Sequence, residues 1–405
     1  MNRINEMIRL QEYKNVKRVK LKDCCSAIFS GGTPLTSKEQ FYDGNIPWIR
    51  SGEIDFNRIF RSERNISQEG LENSSAKLIR PKSVVMAMTG ATVAKVATIE
   101  AEMAANQSVC ALEPNCLLDY RFLYFYLATK YLQLRNSAQG ALTSLNLERI
   151  KNIEIPLPPL NIQKEIVSIL DSFTSLIDKM KQEVEMRKKQ MEYYIDKFYG
   201  GDFDGMMRLA DIPGNSVAQF SDLGPIIRGK RFVRDDIRTV GQPCIHYGDM
   251  YTYYGTMAVT AKTFLERDFP KKMRYAHKGD VVIVGAGEND YDIGVGLVWM
   301  GEEPAAVHDA CYILKHHQIP MYISYYLRSN IYHQQLKKYV SSGKISSFSA
   351  EGLGKVYIPI QPEDKQRQIV SILDTFETYI SKLEKMIELR QKQYEYYREK
   401  LLTFE

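Results

Sequence analysis

A nine-residue segment occurs twice in nearly identical form in this chain of 405 residues, at an offset of 203 positions. "EIVSILDSF" occupies residues 165–173, and "QIVSILDTF" occupies residues 368–376. The match begins before these segments, because "IPLPP" at 155–159 aligns with "IPIQP" at 358–362. A repeat of about half the chain length predicts two similar halves, each ending in the same kind of helix.

Both predicted helices carry apolar residues at alternating steps of three and four, which is close to the heptad pattern of a coiled coil. The pattern is interrupted at the same place in each copy, by Arg187 and by Arg390. A shared interruption predicts that the two helices pack against each other in one register, as an antiparallel pair. Asn161 and Asp364 are placed to cap the two helices. The outward charges indicate either a solvated face or a docking surface, and the sequence does not decide between them.

The regions before the two helices have the same order of predicted elements but few identical residues. Each half contains three short apolar strand candidates followed by a helix. These lie at residues 83–88, 94–99, 108–112 and 118–137 in the first half, and at 280–284, 294–300, 310–314 and 319–339 in the second. A common scaffold with different surface chemistry is what two binding domains for two different targets require.

We therefore predict an α+β fold with an internal repeat of pseudo-twofold character. Two tandem globular domains of mixed α/β structure are separated by two long helices that pair as an antiparallel coiled coil. The predicted boundaries are 1–157 for the first globular domain, 158–200 for the first helix, 201–360 for the second domain and 361–405 for the second helix.

The composition indicates in which cellular compartment the protein is expected. Residues 1–20 are charged and lack an apolar segment, and nowhere do about 18 uncharged apolar residues run together. This predicts a soluble, cytoplasmic protein that does not contact a membrane. The six cysteines form no C-x-x-C pair, which favours reduced thiols over disulfides or structural zinc.

The net charge is +5, and its distribution is more informative than its size. Residues 1–154 hold 21 Lys and Arg against 16 Asp and Glu, so the excess lies in the first globular half. If a polyanion such as DNA is bound, the globular domains rather than the helices are expected to bind it.

No catalytic motif is complete. "NIPW" at residues 45–48 lacks the second proline of the Asn-Pro-Pro-aromatic motif with which amino-methyltransferases hold a flipped base. "VGAGEND" at 284–290 does not fit a nucleotide-binding glycine loop. All six histidines lie in the second half, and none belongs to an H-E-x-x-H motif. We therefore predict a binding protein with no catalytic residues, no metal site and no cofactor of its own.

Several segments together resemble one known family, the specificity subunits of Type I restriction-modification systems. The resemblance rests on the two helix-introducing segments "IPLPPLNIQKEIVSILDSF" and "IPIQPEDKQRQIVSILDTF" and on four segments of the first half: "FSGGTPLTSKEQFYDGNIPWIRSGEI", "TGATVAKVATI", "NQSVCALEP" and "SLNLERIKNIEIPLPP". In the second half "RGKRFV" replaces the "SGGTP" type of segment and "GAGEND" replaces "TGAT". Residue-level correspondence is therefore weaker there.

The resemblance implies a division of labour. Each globular domain would be a target recognition domain that reads one half of a split double-stranded DNA site. The helices would set the gap between the halves and dock two modification subunits, which resemble N6-adenine methyltransferases and carry S-adenosylmethionine. Restriction subunits that use ATP and magnesium would cleave unmethylated DNA, so this chain would be a non-catalytic part of the complex.

Loops with small, hydroxyl, amide and basic residues suit contacts to phosphates and base edges. The candidate DNA-binding residues of the first half are Ser30, Gly31, Gly32, Thr33, Thr36, Lys38, Arg50, Ser51, Thr89, Thr92, Thr143 and Ser144. Those of the second half are Arg228, Lys230, Arg231, Tyr247, Tyr251, Tyr253, Tyr254, Lys344, Ser346 and Ser347. Trp48 is expected to pack in the core rather than to stack on a base.

Two alternatives of other classes remain open at this point. One is a self-contained DNA methyltransferase or nuclease. The other is a coiled-coil adaptor that binds no DNA, which the nearly neutral second half favours. The sequence does not give the DNA sequence recognised or the length of its gap.

Overall fold

The computed structural model describes residues 16–138, 144–269, 272–287, 293–341, 343 and 345–404. Its contacts divide the chain into unit 1, which comprises residues 1–180 and 386–405, and unit 2, which comprises residues 181–385. Both division points lie inside long helices. Each unit therefore contains one α/β domain and one part of each long helix.

Unit 1 contains eleven short strands among the residues that the structure describes. These are β1 (Arg18–Lys20), β2 (Cys25–Ser30), β3 (Ile46–Ile49), β4 (Arg58–Ile59), β5 (Arg64–Ile66), β6 (Leu78–Ile79), β7 (Ser83–Ala87), β8 (Val96–Ile99), β9 (Met103–Ala105), β10 (Val109–Pro114) and β11 (Glu154–Pro156). Its shorter helices are α1 (Leu21–Cys24), α2 (Gln68–Glu72), α3 (Tyr120–Thr129), α4 (Tyr131–Ser137) and α5 (Leu147–Lys151). The central helix, α6 (Leu160–Phe198), begins in this unit and ends in unit 2.

Unit 2 repeats this content. Its described strands are β12 (Ser216–Gln219), β13 (Ile226–Arg228), β14 (Gln242–Ile245), β15 (Met257–Ala258), β16 (Thr263–Leu265), β17 (Tyr275–Ala276), β18 (Val281–Val284), β19 (Ala286–Gly287), β20 (Gly296–Trp299), β21 (Ala305–Val307), β22 (Cys311–Leu314), β23 (Ser346–Ser347) and β24 (Tyr357–Ile360). Its helices are α7 (Phe203–Leu209), α8 (Phe220–Leu223), α9 (Tyr247–Thr252), α10 (Pro320–Tyr326), α11 (Asn330–Leu336) and α12 (Ala350–Gly354). The C-terminal helix, α13 (Glu363–Leu402), begins here and ends in unit 1.

The two larger sheets have the same strand order in both units, and unit 2 adds the two-stranded pair β19–β23. The five-stranded sheet has the order β2-β10-β7-β8-β4 in unit 1 and β13-β22-β18-β20-β15 in unit 2. The four-stranded sheet has the order β5-β3-β9-β6 in unit 1 and β16-β14-β21-β17 in unit 2. Even the parallel pairs correspond, since β4–β8 and β3–β9 match β15–β20 and β14–β21. The predicted repeat of two α/β domains is therefore confirmed.

The core of unit 1 lies on both faces of its five-stranded sheet. Because side chains alternate along a strand, Val84 and Met86 of β7 pack with helical residues such as Phe122. Val85 faces the opposite way and packs with Ile49 of the four-stranded sheet. The strand is consequently apolar on both sides, which explains the continuous apolar run "VVMA" at residues 84–87.

The two helices predicted at 118–137 and 319–339 are each interrupted, contrary to the prediction. In unit 1 the break lies at Lys130, whose backbone angles (φ −88°, ψ 2°) are not those of a regular helix. In unit 2 it lies at Ser329, whose hydroxyl accepts the backbone N–H of Tyr332 and so caps a new helix.

The predicted caps of the long helices are also wrong. The carbonyl oxygen of Pro159 accepts the backbone N–H of Gln163 (3.1 Å), and that of Pro362 accepts the N–H of Gln366 (3.0 Å). Both helices therefore begin before the predicted caps, and Asn161 and Asp364 lie within their first turns.

A buried glutamine at the start of each long helix fastens it to its own domain. In unit 1 the side-chain oxygen of Gln163 accepts the backbone N–H of Asp119 (2.8 Å). In unit 2 Gln366 accepts the N–H of Ile319 in the same way (3.3 Å). In both cases the amide nitrogen donates to two further oxygens of the same unit.

The long helices run antiparallel within each unit. In unit 1 the ring of Phe173 lies 5.6 Å from that of Tyr397. In unit 2 the ring of Tyr194 lies 5.6 Å from that of Phe376. These are the same two residues of the repeat, so the predicted shared register is confirmed inside each unit.

The predicted arginine interruptions share one contact, while Arg187 also donates to Glu183 (2.8 Å), whose repeat equivalent is Met386. Arg187 donates to the side chain of Gln190 (2.8 Å), and Arg390 donates to that of Gln393 (2.7 Å). Each arginine is half-buried and finds its partner one turn along its own helix.

Candidate nucleic-acid interface

In unit 1, three strand ends are joined by two backbone hydrogen bonds. The N–H of Gly32, which follows β2, donates to the carbonyl oxygen of Ala105 at the end of β9 (2.8 Å). The N–H of Asn106 donates to the carbonyl oxygen of Ile49 at the end of β3 (2.9 Å). The residues that leave these three strands form what we call the strand-end frame of unit 1: Thr33, Arg50 and Asn106.

The same two bonds recur in unit 2. The N–H of Lys230 donates to the carbonyl oxygen of Val307 (2.9 Å), and the N–H of His308 donates to that of Ile245 (3.1 Å). The strand-end frame of unit 2 therefore consists of three residues: Arg231, His246 and His308. The two frames share their backbone geometry, and their side chains are entirely different.

A glycine permits the close backbone approach in each frame. A Cβ atom on Gly31 would lie 2.0 Å from the carbonyl oxygen of Ala105. A Cβ atom on Gly229 would lie 2.1 Å from the carbonyl oxygen of His308. Neither distance is compatible with a side chain, so glycine is required for contact rather than for an unusual backbone angle.

In unit 1 the polar side chains of the frame are bonded to their neighbours. The hydroxyl of Thr33 donates to the side-chain oxygen of Gln107. The guanidinium of Arg50 contacts the carboxylate of Glu63 (2.5 Å), and its backbone N–H donates to Glu53 (2.8 Å). Arg50 is thus a cation already held by acidic residues.

Other candidate residues of unit 1 lie in loops that meet near the frame. The hydroxyl of Thr92 donates to the carbonyl oxygen of Ser51 (2.9 Å), next to Arg50. Thr89 forms an isolated β-bridge with Ser144. These four candidates therefore come from three segments that the structure brings together in two pairs.

The remaining candidates of unit 1 differ in accessibility. Ser30 is half-buried at the end of β2, while Thr36 and Lys38 are exposed. The ammonium group of Lys38 lies 4.8 Å from the centre of the Phe41 ring, a cation–π distance.

In unit 2 the basic side chains near the frame are less constrained. The Nε of Arg228 donates to the carbonyl oxygen of Asp309 (2.7 Å). Lys230 and Arg231 are exposed, and within the described part of the chain no hydrogen bond or ion pair engages either side chain. Both cations are therefore available to an external partner.

The tyrosines of unit 2 have different surroundings. Tyr247 packs on His246, with ring centres 4.5 Å apart. The hydroxyl of Tyr254 accepts the backbone N–H of Lys262 (2.8 Å), and burial raises the pKa of Tyr254 to about 12. The ring of Tyr253 is 59% exposed. Of the cluster at 251–255, Tyr253 is thus the residue best placed for an external contact.

Three candidates belong to the framework rather than to the exposed surface. Gly31 and Gly32 are buried by the close backbone approach, and Ser346 of β23 is 6% exposed. Ser347, its neighbour, is half-buried and pairs with Ala286. The sequence does not indicate this burial, because the burial results from packing between segments that are distant along the chain.

Two further candidates, Thr143 and Lys344, and the side chain of Tyr251 lie outside the described part of the structure.

A cavity of about 390 Å³ adjoins the frame of unit 2. It is lined by Arg231, Arg234, His246, Tyr247, His308 and Asp309, among others. The rings of His246 and His308 lie 4.7 Å apart within it.

Burial favours the neutral form of both imidazoles that line the cavity, because it lowers the pKa of each. Burial lowers the pKa of His308 to about 4, and the nearby His246 lowers it further. Burial also lowers the pKa of His246. Two imidazolium ions at this distance would repel each other, which lowers the pKa in the same direction.

Asn106, Gln107, Arg234, His246 and His308 were not among the sequence-based candidates. The sequence does contain a signal for His246. The segments "IPWIRSGE" and "QPCIHYGD" align at their strand ends, and this alignment places His246 at the position of Arg50. Asn106 and His308 carry no such signal, because β9 and β21 are distant in sequence from the strands that they join.

The structure does not favour the catalytic alternatives. Trp48 of "NIPW" is 4% exposed, and its indole N–H donates to the carbonyl oxygen of Gly32 (3.0 Å). The prediction that Trp48 packs in the core is confirmed. In the part of the chain that is described, no group of three His, Cys, Asp or Glu residues is arranged to hold a metal ion. The same residues include no helix that is both long and apolar enough to cross a bilayer.

The family model described as "Type I restriction modification DNA specificity domain" matches residues 13–186 and again residues 214–391. The chain belongs to this family. The domain that defines the family therefore occurs twice in this chain, and the predicted family resemblance is confirmed.

Individual relatives of the chain are also specificity subunits. A putative type I restriction enzyme specificity subunit of Haemophilus influenzae is 31% identical over 326 residues, which cover 74% of this chain and 76% of that protein. The EcoR124I/EcoR124II specificity subunit of Escherichia coli is 30% identical over 182 residues, 42% of this chain and 45% of that one. As the specificity subunit, this chain is the non-catalytic component of a type I system.

Solved structures show the same fold. The S subunit of a type I restriction-modification system from Mycoplasma genitalium matches 96% of this chain and 97% of its own, with a TM-score of 0.56 at 15% identity. A chain from a study of complex assembly in the type I system matches 95% and 96%, with a TM-score of 0.57 at 17% identity.

Proposed function

We propose that the two recognition domains of this specificity subunit read the two halves of a bipartite double-stranded DNA site, one domain to each half. The observation that carries this proposal is the pair of strand-end frames. One backbone arrangement presents Thr33, Arg50 and Asn106 in unit 1 but Arg231, His246 and His308 in unit 2. Different hydrogen-bonding groups on one frame are suited to different base sequences. The predicted domains 1–157 and 201–360 contain these frames.

The finer partner assignments belong to this proposal. Two modification subunits with N6-adenine methyltransferase activity and S-adenosylmethionine would dock on the long helices, and restriction subunits using ATP and magnesium would join them. Exposed apolar residues support the docking. Met186 and Tyr193, seven residues apart on one helix face, are 52% and 60% exposed in unit 2. Their repeat equivalents in unit 1, Leu389 and Tyr396, are 65% and 56% exposed.

The test of DNA recognition is a map of methylated adenines in cells that express this chain with its modification and restriction partners. We expect methylation within one sequence made of two specified halves and an unspecified gap. A continuous site, or methylation without sequence preference, would refute the proposal. Arg50→Ala should relax or abolish the specificity for the first domain's half-site and leave the second domain's half-site unchanged.

The test of docking is the number of modification subunits bound per chain, measured by native mass spectrometry. Tyr193→Ala and Tyr396→Ala should each leave one tight and one weakened site, and the double variant should weaken both. Gln182→Ala and Lys385→Ala form a matched control, since these residues are exposed, polar and related by the same 203-residue repeat. Equal losses in the control would argue against the apolar pairs.

A further inference from the structure

The cavity beside the strand-end frame of unit 2 has a distinct arrangement of donors and acceptors. Within the described residues, no hydrogen bond or ion pair engages the guanidinium groups of Arg231 or Arg234. Both residues are exposed. The cavity therefore presents two unpaired cations with up to five N–H donors each.

The protonation pattern of the histidines adds a directed donor. The Nδ1 of His246 accepts the backbone N–H of Gly248 (3.2 Å), and the Nδ1 of His308 accepts that of Ala310 (3.1 Å). A neutral imidazole that accepts at Nδ1 carries its proton on Nε2. His246 thus offers an N–H donor to the cavity, and its backbone partner fixes the tautomer.

One strong acceptor also lines the cavity. The carboxylate of Asp309 lies 3.3 Å from the Nδ1 of His308, and its side chain is 31% exposed. A carboxylate at this position repels a phosphate group, which is itself anionic. The lining therefore suits a partner that has acceptors for the two arginines and at least one donor for Asp309, whereas a phosphate diester carries acceptors only.

A G·C base pair has this pattern in the major groove. Guanine presents two acceptors, N7 and O6, and cytosine presents the N4 amino donor. Arginine commonly pairs with the guanine edge, and a carboxylate can accept from cytosine N4. In an A·T pair the single donor lies between the two acceptors and the thymine methyl group lies beside them, so the pair lacks the two adjacent acceptors that a guanidinium group bonds bidentately.

We infer that Arg231, His246 and Asp309 read one G·C base pair in the half-site bound by the second recognition domain. This inference rests on the proposed function and names the specificity determinants and the base pair for one of its two domains. Arg234 and Tyr247 border the same cavity, and the ring of His308 packs at 60° against that of His246 and so positions the His246 imidazole.

The experiment uses the full chain in its complex with the modification subunits. Once the methylated sequence is mapped, each guanine of the second half-site is replaced in turn by 7-deazaguanine, which lacks the N7 acceptor, and duplex binding is measured. One replacement should weaken the wild-type complex about tenfold, within the range for one specific base contact. In the Arg231→Ala or His246→Ala complex the same replacement should have almost no further effect.

Several results would overturn the inference. A second half-site without a G·C pair, or one in which no 7-deazaguanine replacement affects the wild-type complex, contradicts it. A uniform loss of affinity for all DNA sequences in Arg231→Ala would identify a phosphate contact instead. Arg231 is exposed, so its variant tests the inference even if His246→Ala is poorly folded. His277→Ala, an exposed histidine that does not line this cavity, is the matched control and should bind normally.

These outcomes separate the inference from the proposed function. If the wild-type complex methylates no bipartite site, the proposed function fails. If it methylates a bipartite site whose second half is unaffected by Arg231→Ala and His246→Ala, only the present inference fails.

Discussion

The strand-end frames of the two units are the most informative comparison within the molecule. Both use the same pair of backbone hydrogen bonds and the same close-packed glycine. In unit 1 the cation of the frame, Arg50, is held by Glu63, whereas in unit 2 the cation Arg231 has no ionic partner among the described residues and lies beside two histidines. The backbone arrangement is thus independent of the side chains that it presents, which allows one fold to carry two specificities.

The attachment of the long helices differs in a second way. In unit 1 the carboxylate of Asp171 pairs with Arg121, whose side chain is 8% exposed. In unit 2 the equivalent residue, Asp374, accepts a hydrogen bond from the hydroxyl of Tyr325 (2.6 Å). The same carboxylate therefore neutralises a buried charge in one unit and accepts a neutral donor in the other.

The largest effect is expected from the frame glycines. Gly31→Ala and Gly229→Ala should each destabilise their own unit by at least about 3 kcal/mol, because the new Cβ would overlap a backbone carbonyl that cannot move alone. Hydrogen exchange resolved by segment measures each unit separately. Gly52→Ala and Gly255→Ala are matched controls, since neither added Cβ would meet an atom within 4 Å. A small effect at one frame glycine only would show that the two frames are not packed alike.

The helix attachments should respond unequally. Asp171→Asn leaves the buried Arg121 without its counter-charge and should cost about 3 kcal/mol. Asp374→Asn keeps an oxygen that can accept from Tyr325 and should cost about 1 kcal/mol. Thermal and denaturant unfolding followed by segment-resolved exchange compares them, with exposed Asp178→Asn as the control. Equal costs would contradict the assigned difference between a charged and a neutral contact.

The buried glutamines should respond equally. Gln163→Ala and Gln366→Ala each remove an amide that is bonded to backbone at the start of a long helix, and each should cost about 2 kcal/mol in its own unit. The exposed Gln391 and Gln182 provide one control substitution to alanine in each unit. A loss of stability confined to one unit would contradict the prediction that the two attachments are equivalent.

The smallest effect is a difference in acid sensitivity. The folded-state pKa of His308, about 4, lies below its ordinary value of 6.5, so the unfolded chain binds more protons between these values. Stability from this group is therefore present above pH 6.5 and is lost as the pH falls towards 4. Lowering the pH from 7.5 to 5.5 should destabilise unit 2 by about 1 kcal/mol through His308 alone.

Unit 1 provides the internal control for this prediction. All six histidines of the chain lie between residues 246 and 333, inside unit 2. The pKa values of His246, His316 and His333 are also lowered, in each case mainly by burial, so they act in the same direction. Segment-resolved exchange at the two pH values should show the change in the strands of unit 2. A greater change in unit 1 would rule out histidine as the cause.

Much of the architecture could be predicted from the sequence because it depends on local pattern. The 203-residue repeat gave the duplicated domain and the shared helix register, and the apolar runs located the strands of the five-stranded sheets. The helix breaks at Lys130 and Ser329 were missed because apolar periodicity continues across them. The early helix starts were missed because Pro159 and Pro362 supply backbone acceptors rather than a capping side chain.

The site was only partly predictable. Thr33, Arg50 and Arg231 were found because loops with polar and basic residues follow apolar strands. His308 was passed over because its importance depends on His246, which is 62 residues away in sequence and becomes its neighbour only through the parallel pairing of β14 with β21. Gly31 and Ser346 were chosen for their chemistry, yet tertiary packing buries both.

The sequence by itself determined the family, the repeat and the pairing tendency of the long helices, because these are recorded in identity and periodicity along the chain. Only the tertiary structure decided which residues share the strand-end frames and which charges are already paired. The physical reason is that hydrogen bonding, burial and ionisation depend on distances between segments that are remote in sequence. Whether Arg50 is neutralised and Arg231 left available follows from those distances alone.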